Sequence, residues 1–481
     1  LLGQGSGSLD FAHLSAEPAL AGALFVLAVV GFGTKAGFMP VHVWLPEAHP
    51  AAPSHVSAVM SGVMIKTGIY GLIRVLTFLG NPPAWWGWTL VAIGVSSGLL
   101  GVLFALAQHD LKRLLAYSSV ENVGIITLGL GVGLLGVHYG LPAMAVLGYL
   151  GALLHVLNHA LFKSLLFLGA GAIQHATGTR NLNQLGGLLK RMPVTGSAFF
   201  LGACAICGLP PLNGFVSELL IYLAALAGLA DSTRAPGVQW AMLCVLALGG
   251  LALIGGLAVV TFTKAFGFVF LGSPRSEAAE QGHEVGMRMR GAMAVLAGGC
   301  VLAALAAPFW PLVLGSAVTA LTPTSWQGLT GAAADRAAMP LTVVGASCGA
   351  VWALAGLLAL FRRWLLAGRP VTAAPTWDCG YAAPQARMQY SGSSYIDPVL
   401  AVFRTVLRPQ IRLQPPAGLF PAEARFESDV PDVFRDSFFR PVFESVRWVA
   451  SKLRWLQQGR IQLYVLYIAV TVLSLLIWKL G

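Results

Sequence analysis

Apolar residues dominate ten stretches of this chain, at 18–47, 53–79, 85–107, 114–136, 142–176, 194–228, 238–271, 290–318, 339–367 and 460–480. A helix rises about 1.5 Å per residue, so about 20 apolar residues cross the hydrocarbon of a bilayer. The pattern predicts an all-α polytopic membrane protein of about ten transmembrane helices. Gly and Pro interrupt two of the stretches. The first carries GTKAGFMPVHVWLPEAHP and the sixth CGLPPLNGFVSE. Broken backbone at membrane depth survives only where protein or water surrounds it, and discontinuous helices often flank an ion site. Both stretches are therefore expected to be discontinuous helices beside an internal path. Lys35 precedes the first break and Glu218 follows the second, which suggests related elements of opposite orientation.

Between 370 and 459 the spanning pattern stops. The segment through 431 is rich in Pro, Arg and aromatic residues. Over 432–457, Phe438, Val442, Val446, Val449, Leu453 and Leu456 recur at helical spacing, with Arg440, Glu444, Arg447 and Arg454 elsewhere round the wheel. This spacing predicts an amphipathic helix lying on the membrane or braced against neighbouring spans. The expected organisation is 1–79 with one broken helix and the next span, 80–271 with five spans, 272–369 with two more, the insertion 370–459, and a last span in 460–481.

Composition agrees with a membrane setting. Hydrophobic residues make up 56% of the 481 and charged residues only 10%, against about 25% charged in soluble globular domains. The net charge of +11 does not point to nucleic acid, because the basic residues are dispersed in the loops between spans. Lys112 and Arg113, then Arg180, Lys190 and Arg191, then Arg275, Arg288 and Arg290, then Arg362, Arg363 and Arg369 occupy alternate connections. The connections around 82–87, 138–141, 231–237 and 322–339 hold few. The positive-inside rule makes the basic loops and 370–459 cytoplasmic and puts both ends of the chain outside. Cysteines placed at Lys190 and Gly237 should therefore label from opposite sides of the membrane; labelling of both from one side would overturn the topology.

Of six cysteines, Cys204, Cys207, Cys244, Cys300 and Cys348 lie in apolar spans and Cys379 in the insertion. The pair Cys204 and Cys207 has no second CxxC and is read as helix packing. No metal site, cofactor or disulfide framework is expected.

Charges within the spans carry the functional signal. Lys35 and Lys66 sit mid-span, and Lys163 lies one and two helical turns beyond His159 and His155 on one helix face. A bare charge at membrane depth costs at least about 2.5–3.5 kcal/mol. Several at mid-span, with Glu218, suggest a buried path for protons or ions. Lys264 is a further candidate for that path, although it lies nearer a cytoplasmic end, within snorkelling reach of water. His42, Glu47, His49 and His55 cluster around the first cytoplasmic loop as candidates for proton uptake or as a wet loop.

Four strings, GTKAGFMPVHVWLPEAHPAAPSHVSAVMSGVMIKTGIYGLIRV, QHDLKRLLAYSSVENVGI, LHVLNHALFKSLLFLGAGAI and GLPPLNGFVSE, resemble the antiporter-like subunits of complex I, Mrp cation/proton antiporters and membrane-bound hydrogenases. The resemblance runs from residue 1 to about 370. The tail TWDCGYAAPQARMQYSGSSY is more similar to the large membrane subunit of hydrogenase-4 and formate hydrogenlyase. It implies that Lys35 is the lysine of the broken helix in a first half-channel and Lys66 the connecting lysine. His155, His159 and Lys163 would form the central relay of the second half, and Glu218 would be the acid of its broken helix. It further implies a proton-translocating subunit of a membrane-bound hydrogenase or complex I-like respiratory complex, in a prokaryotic plasma (inner) membrane. The partners would be other membrane subunits and hydrophilic redox subunits carrying Ni–Fe or Fe–S centres, with no redox chemistry on this chain. Alternatives are a Na+ or K+/proton antiporter subunit of an Mrp-like assembly and a non-pumping anchor. Family members carry about six more helices ahead of the position of Leu1, including a glutamate that pairs with the residue matching Lys35. A longer reading frame, or a companion polypeptide, is expected to supply them.

Overall fold

The computed structural model describes residues 10, 11, 14, 16–230, 237–370, 385–415, 418, 425–456 and 459–480. Cys379, much of the TWDCGYAAPQARMQYSGSSY string, Gln457 and the Leu456 side chain lie outside the described residues. Helices follow one another as α1 (Pro18–Ala36), α2 (Leu45–Ala51), α3 (Ser54–Leu76), α4 (Ala84–Ala107), α5 (Leu111–His138), α6 (Pro142–Thr177), α7 (Pro193–Ile206), α8 (Asn213–Ala230), α9 (Gly237–Phe270), α10 (Met287–Leu305), α11 (Trp310–Ala320) and α12 (Gln327–Leu366). The first unit, through Val430, then adds α13 (Gly392–Val402) and an antiparallel ribbon of β1 (Gln410–Gln414) with β2 (Arg425–Asp429), in which Arg412 faces Glu427. Prolines open α1, α6 and α7, where their missing N–H has no intrahelical partner to lose. Gly37 (φ 90°) and Gly178 (φ 69°) close α1 and α6 in the left-handed conformation.

Among the described residues, ten helices are long and apolar enough to cross a membrane, and they match the ten stretches one for one. The fold is an all-α polytopic membrane protein. Both expected breaks are present. α1 stops at Ala36 and the chain turns through to Leu45, while α7 and α8 part between Ile206 and Asn213. A third break was not expected. The apolar run 290–318 ends as α10 at Leu305, passes through a short 3-10 turn at Ala307–Phe309, and restarts as α11 at Trp310. Pro308 and Pro311 explain it, since each lacks a donor and disfavours helix in the residue before it.

α5 is the centre of the bundle and is almost wholly buried. Glycines let its neighbours approach to backbone contact, the close packing small residues permit in membranes. A Cβ added at Gly94 of α4 would lie 2.6 Å from the Leu128 amide nitrogen, and one at Gly101 would lie 2.6 Å from that of Glu121. On the other side, Gly136 of α5 meets Ala145 of α6 in the same way, at 2.5 Å. Val91, Ile125, Leu128, Ile221, Trp240 and Ile254 fill the space that α4, α5, α8 and α9 enclose.

The connections sort to two ends. Arg180 pairs with Asp110 (3.0 Å) and donates to the Pro50 carbonyl (2.5 Å), Lys112 donates to the Ala52 carbonyl (2.6 Å), and Arg275 donates to the Leu185 carbonyl (3.0 Å). The basic loops thus gather with the first break. The segment from 385 joins them: the Gln389 side chain accepts from the Ser273 amide, and Asn183 accepts from the Gly392 amide. At the other end, His138 hydrogen-bonds the Pro82 carbonyl (3.1 Å).

The second unit, residues 431–481, holds α14 (Arg440–Lys452) and α15 (Ile461–Leu480). A π turn at Arg435–Phe439 leads into α14, and Arg440 pairs with Glu444 one turn on (3.1 Å). Phe438, Val442, Val446, Val449 and Leu453 are all exposed, as are Arg447 and Glu444.

Candidate functional site

A line of buried polar side chains runs through the apolar bundle along α5 and α6. It begins on α3, whose ladder widens into a π turn at Met60–Met64, a distortion common at functional sites. There the Lys66 amine donates to the Ser61 carbonyl and is hydrogen-bonded to His159 Nδ1. Ser61 and Ser119 hydroxyls meet at 2.8 Å, tying α3 to α5.

α6 supplies the next groups at one-turn intervals, so that His155, His159 and Lys163 stack along one face. All three are fully buried. Lys163 Nζ donates to the Leu115 carbonyl (2.8 Å) and to the Ser118 hydroxyl of α5, with the Phe262 ring of α9 5.8 Å away. Phe162 stands edge-on between His155 (6.1 Å) and His159 (5.4 Å). His155 bridges two helices: Nε2 is 3.1 Å from Asn122 Oδ1 on α5, and Nδ1 is 2.9 Å from the Ser217 hydroxyl on α8.

The line ends at the second break. Asn158 donates to the Asn213 carbonyl (2.7 Å) and to Ser217 (3.0 Å), and Asn213 donates back to Asn158 Oδ1 (3.1 Å). These bonds occupy the opened backbone at the start of α8. Glu218 follows Ser217 and its carboxylate lies against Gly208, where a Cβ would stand 2.5 Å from Oε2. Gly208 also has φ 62°, so the break needs glycine there both for conformation and for room.

Among the described residues, the buried lysines are hydrogen-bonded to carbonyl and hydroxyl oxygens and an imidazole and not to carboxylates. Removing such charges from water without an ionic partner costs several kcal/mol. The arrangement gives each amine acceptors within reach, and it alternates amines, imidazoles, hydroxyls and amides, all of which can pass or orient a proton.

The remaining candidates lie elsewhere. Lys35 is exposed on the last turn of α1 and His55 is exposed at the start of α3; neither touches the buried line. Glu47 is half-exposed and accepts twice from Arg113 Nη2 (2.8 Å each), which makes it part of a surface ion pair. His42 is fully buried with its ring 6.0 Å from that of Tyr117. His49 is also fully buried and stacks on Phe167 at 4.6 Å. Burial, followed by the Lys163, Lys112 and Lys66 charges, pushes its imidazole down to about 3, so the ring stays neutral at ordinary pH. Lys264 does not snorkel. Its fully buried amine turns inward to the Leu106 (2.7 Å) and Gln108 (2.8 Å) carbonyls and closes the C-terminal end of α4.

Several members of the line are hydroxyls and amides that a search for charge passes over: Ser61, Ser118, Ser119, Asn122, Asn158, Asn213 and Ser217. Glu121 is different. It is a carboxylate in the middle of an apolar span, and the criterion that singled out Lys66 applies to it equally. Among the described residues, no group of three or more His, Cys, Asp or Glu side chains is placed to hold a metal ion.

Residues 4–233 match the family described as NADH:quinone oxidoreductase/Mrp antiporter, transmembrane. Hydrogenase-4 component B of Escherichia coli (strain K12) is 43% identical over 99% of this chain and 72% of its own length. Formate hydrogenlyase subunit 3 of the same organism is 40% identical over 66% of this chain and 52% of its own length. A chain in the solved structure of an archaeal membrane-bound sulfane sulfur reductase superposes with a TM-score of 0.65 at 24% identity, covering 99% of this chain and 72% of that one; this is a likeness of fold.

Proposed function

We propose that this chain, which belongs to the NADH:quinone oxidoreductase/Mrp antiporter transmembrane family and is a proton-translocating membrane subunit, moves its protons along Lys66, His159, His155, Lys163 and Glu218. The observation that carries the path is the set of buried contacts that joins Lys66 to His159 and His155 to Ser217 beside Glu218, with Lys163 held on the same face of α6. Lys66 hands a proton to His159, whose face of α6 leads to Lys163 on one side and His155 on the other. Ser217 and Asn158 connect His155 to the break where Glu218 waits. Lys264 closes the basic end of the bundle and is the natural outlet towards the loops there. Lys35, exposed on the last turn of α1, stands apart from this path.

The driving force comes from partners. The relatives are components of multisubunit membrane complexes, and this chain is one membrane subunit among several. We assign the redox chemistry to hydrophilic subunits with Ni–Fe or Fe–S centres in a hydrogenase-type complex of a prokaryotic plasma membrane. The basic loops and the insertion 370–459 face the cytoplasm in this reading. A change of charge or conformation in a partner shifts the amine nearest to it, and each shift alters the field felt by the next group.

The test is Glu218→Gln in the whole complex reconstituted in proteoliposomes. The amide keeps the shape of the carboxyl but cannot take up the proton. Assembly should be unchanged while proton translocation falls by about 10²-fold, the size of a lost acid–base group. Full translocation by the assembled variant would remove Glu218 from the path.

A further inference from the structure

Among the described residues, Glu121 is the one buried carboxyl of the spanning helices that the path above leaves unused. It sits on α5 and is only 1% exposed. The turn around it is the most polar part of that helix. Ser118, one turn back, holds Lys163; Ser119 holds Ser61; Asn122, the next residue, holds His155. It therefore stands on the same turn of α5 that holds Lys163 and His155, and His155 leads on through Ser217 to the turn of Glu218. α4 closes over its backbone at Gly101, where a Cβ would lie 2.6 Å from the Glu121 nitrogen.

The carboxyl is also unfinished. Glu121 Oε2 is buried and has no hydrogen-bond partner among the described residues. A carboxyl kept for architecture is satisfied by its surroundings, and Glu284 shows how. Its Oε2 accepts from the Val194 (2.9 Å) and Thr195 (3.2 Å) amides, and its Oε1 accepts from the Thr195 hydroxyl (2.6 Å) and the Val285 amide (3.0 Å). Glu284 thereby fastens a loop to the start of α7. Nothing comparable holds Glu121, and a buried acid without such bonds adds nothing to stability over an apolar residue of its size. Its place on the turn of α5 that holds both Lys163 and His155 supplies a reason for it.

We propose that Glu121 is a proton-carrying group that connects Lys163 to Glu218, giving the path a second branch along α5 beside the His155–Ser217 contacts. The proposal rests on the proton-path reading above. In the step, an N–H bond of the Lys163 ammonium breaks and an O–H bond forms on the Glu121 carboxylate. That proton then passes to the Glu218 carboxylate, and Glu121 returns to its ionised form. One proton and one unit of charge move at each transfer, and no oxidant or reductant takes part.

The experiment compares Glu121→Gln, Glu121→Asp and Lys163→Ala in the whole complex, reconstituted in proteoliposomes and read by pH change during turnover. Glu121→Gln should assemble and lose translocation by about 10²-fold, whereas Glu121→Asp, which still carries a proton, should retain a readily measured share. Infrared difference spectra of the unmodified complex should show a protonated-carboxyl band that follows turnover, shifts in Glu121→Asp and is missing in Glu121→Gln. If Lys163→Ala is inactive while Glu121→Gln translocates at the full rate, the Glu121 assignment is overturned and the main path stands. If Lys163→Ala itself translocates fully, the proton-path reading fails and takes this inference with it. Should Glu121→Gln fail to assemble, an unshifted band in Glu121→Asp would still overturn the proposal.

Discussion

Lys163→Ala is expected to leave the complex assembled and to reduce proton translocation by about 10²-fold or more, the effect of deleting a positioned acid–base group. The residue is fully buried on α6, and its amine is held by the Leu115 carbonyl and the Ser118 hydroxyl. Alanine removes the amine and leaves a space that α5 and α9 still border, so the helices keep their places at a modest cavity cost. Lys163→Arg should be nearly as inactive although it keeps the positive charge. A guanidinium does not release its proton in proteins, so it can hold the site but cannot relay through it. Measuring pH change or membrane potential in proteoliposomes containing the whole complex decides the matter. Full translocation by Lys163→Ala would favour an anchor whose buried lysines are remnants.

Gly124→Val should have the largest effect on folding. A Cβ at Gly124 would lie 2.4 Å from the Gly98 nitrogen, 2.6 Å from the Gly94 carbonyl oxygen and 2.8 Å from the Gly98 Cα. All three are backbone atoms, so no side chain can swing aside and α4 must move off α5. Overpacking of this kind costs about 1–3 kcal/mol in ordinary cores. Here it should cost at least that, because α5 touches neighbours on every side. The expected result is a lower melting temperature and a lower yield of folded protein in detergent. Gly356→Ala is the comparison, since an added Cβ there meets nothing within 4 Å. Equal melting of the two variants would show that the glycine contact between α4 and α5 does not govern packing.

The sequence by itself determined the spans, their number, the two breaks beside Lys35 and Glu218, and the helix of 432–457. These are local properties: about 20 apolar residues in a row settle whether a segment prefers the bilayer, and Gly and Pro settle where a helix cannot continue. The same reasoning identified Lys66, His155, His159, Lys163 and Glu218 as buried, because a charge among apolar neighbours is visible without knowing its partner. Tertiary structure decided which of them meet. Lys66 reaches His159 across 93 residues of chain, and Lys163 reaches Ser118 across 45. Such pairings follow from helix rotation and from glycine contacts that set how closely α4, α5 and α6 approach, and no one-dimensional pattern records either. Tertiary structure also turned Lys264 inward onto the end of α4, paired Glu47 with Arg113, and left Lys35 and His55 on the surface. The break between α10 and α11 was legible in Pro308 and Pro311, but the hydropathy of the run hid it, since average apolarity does not register a missing donor.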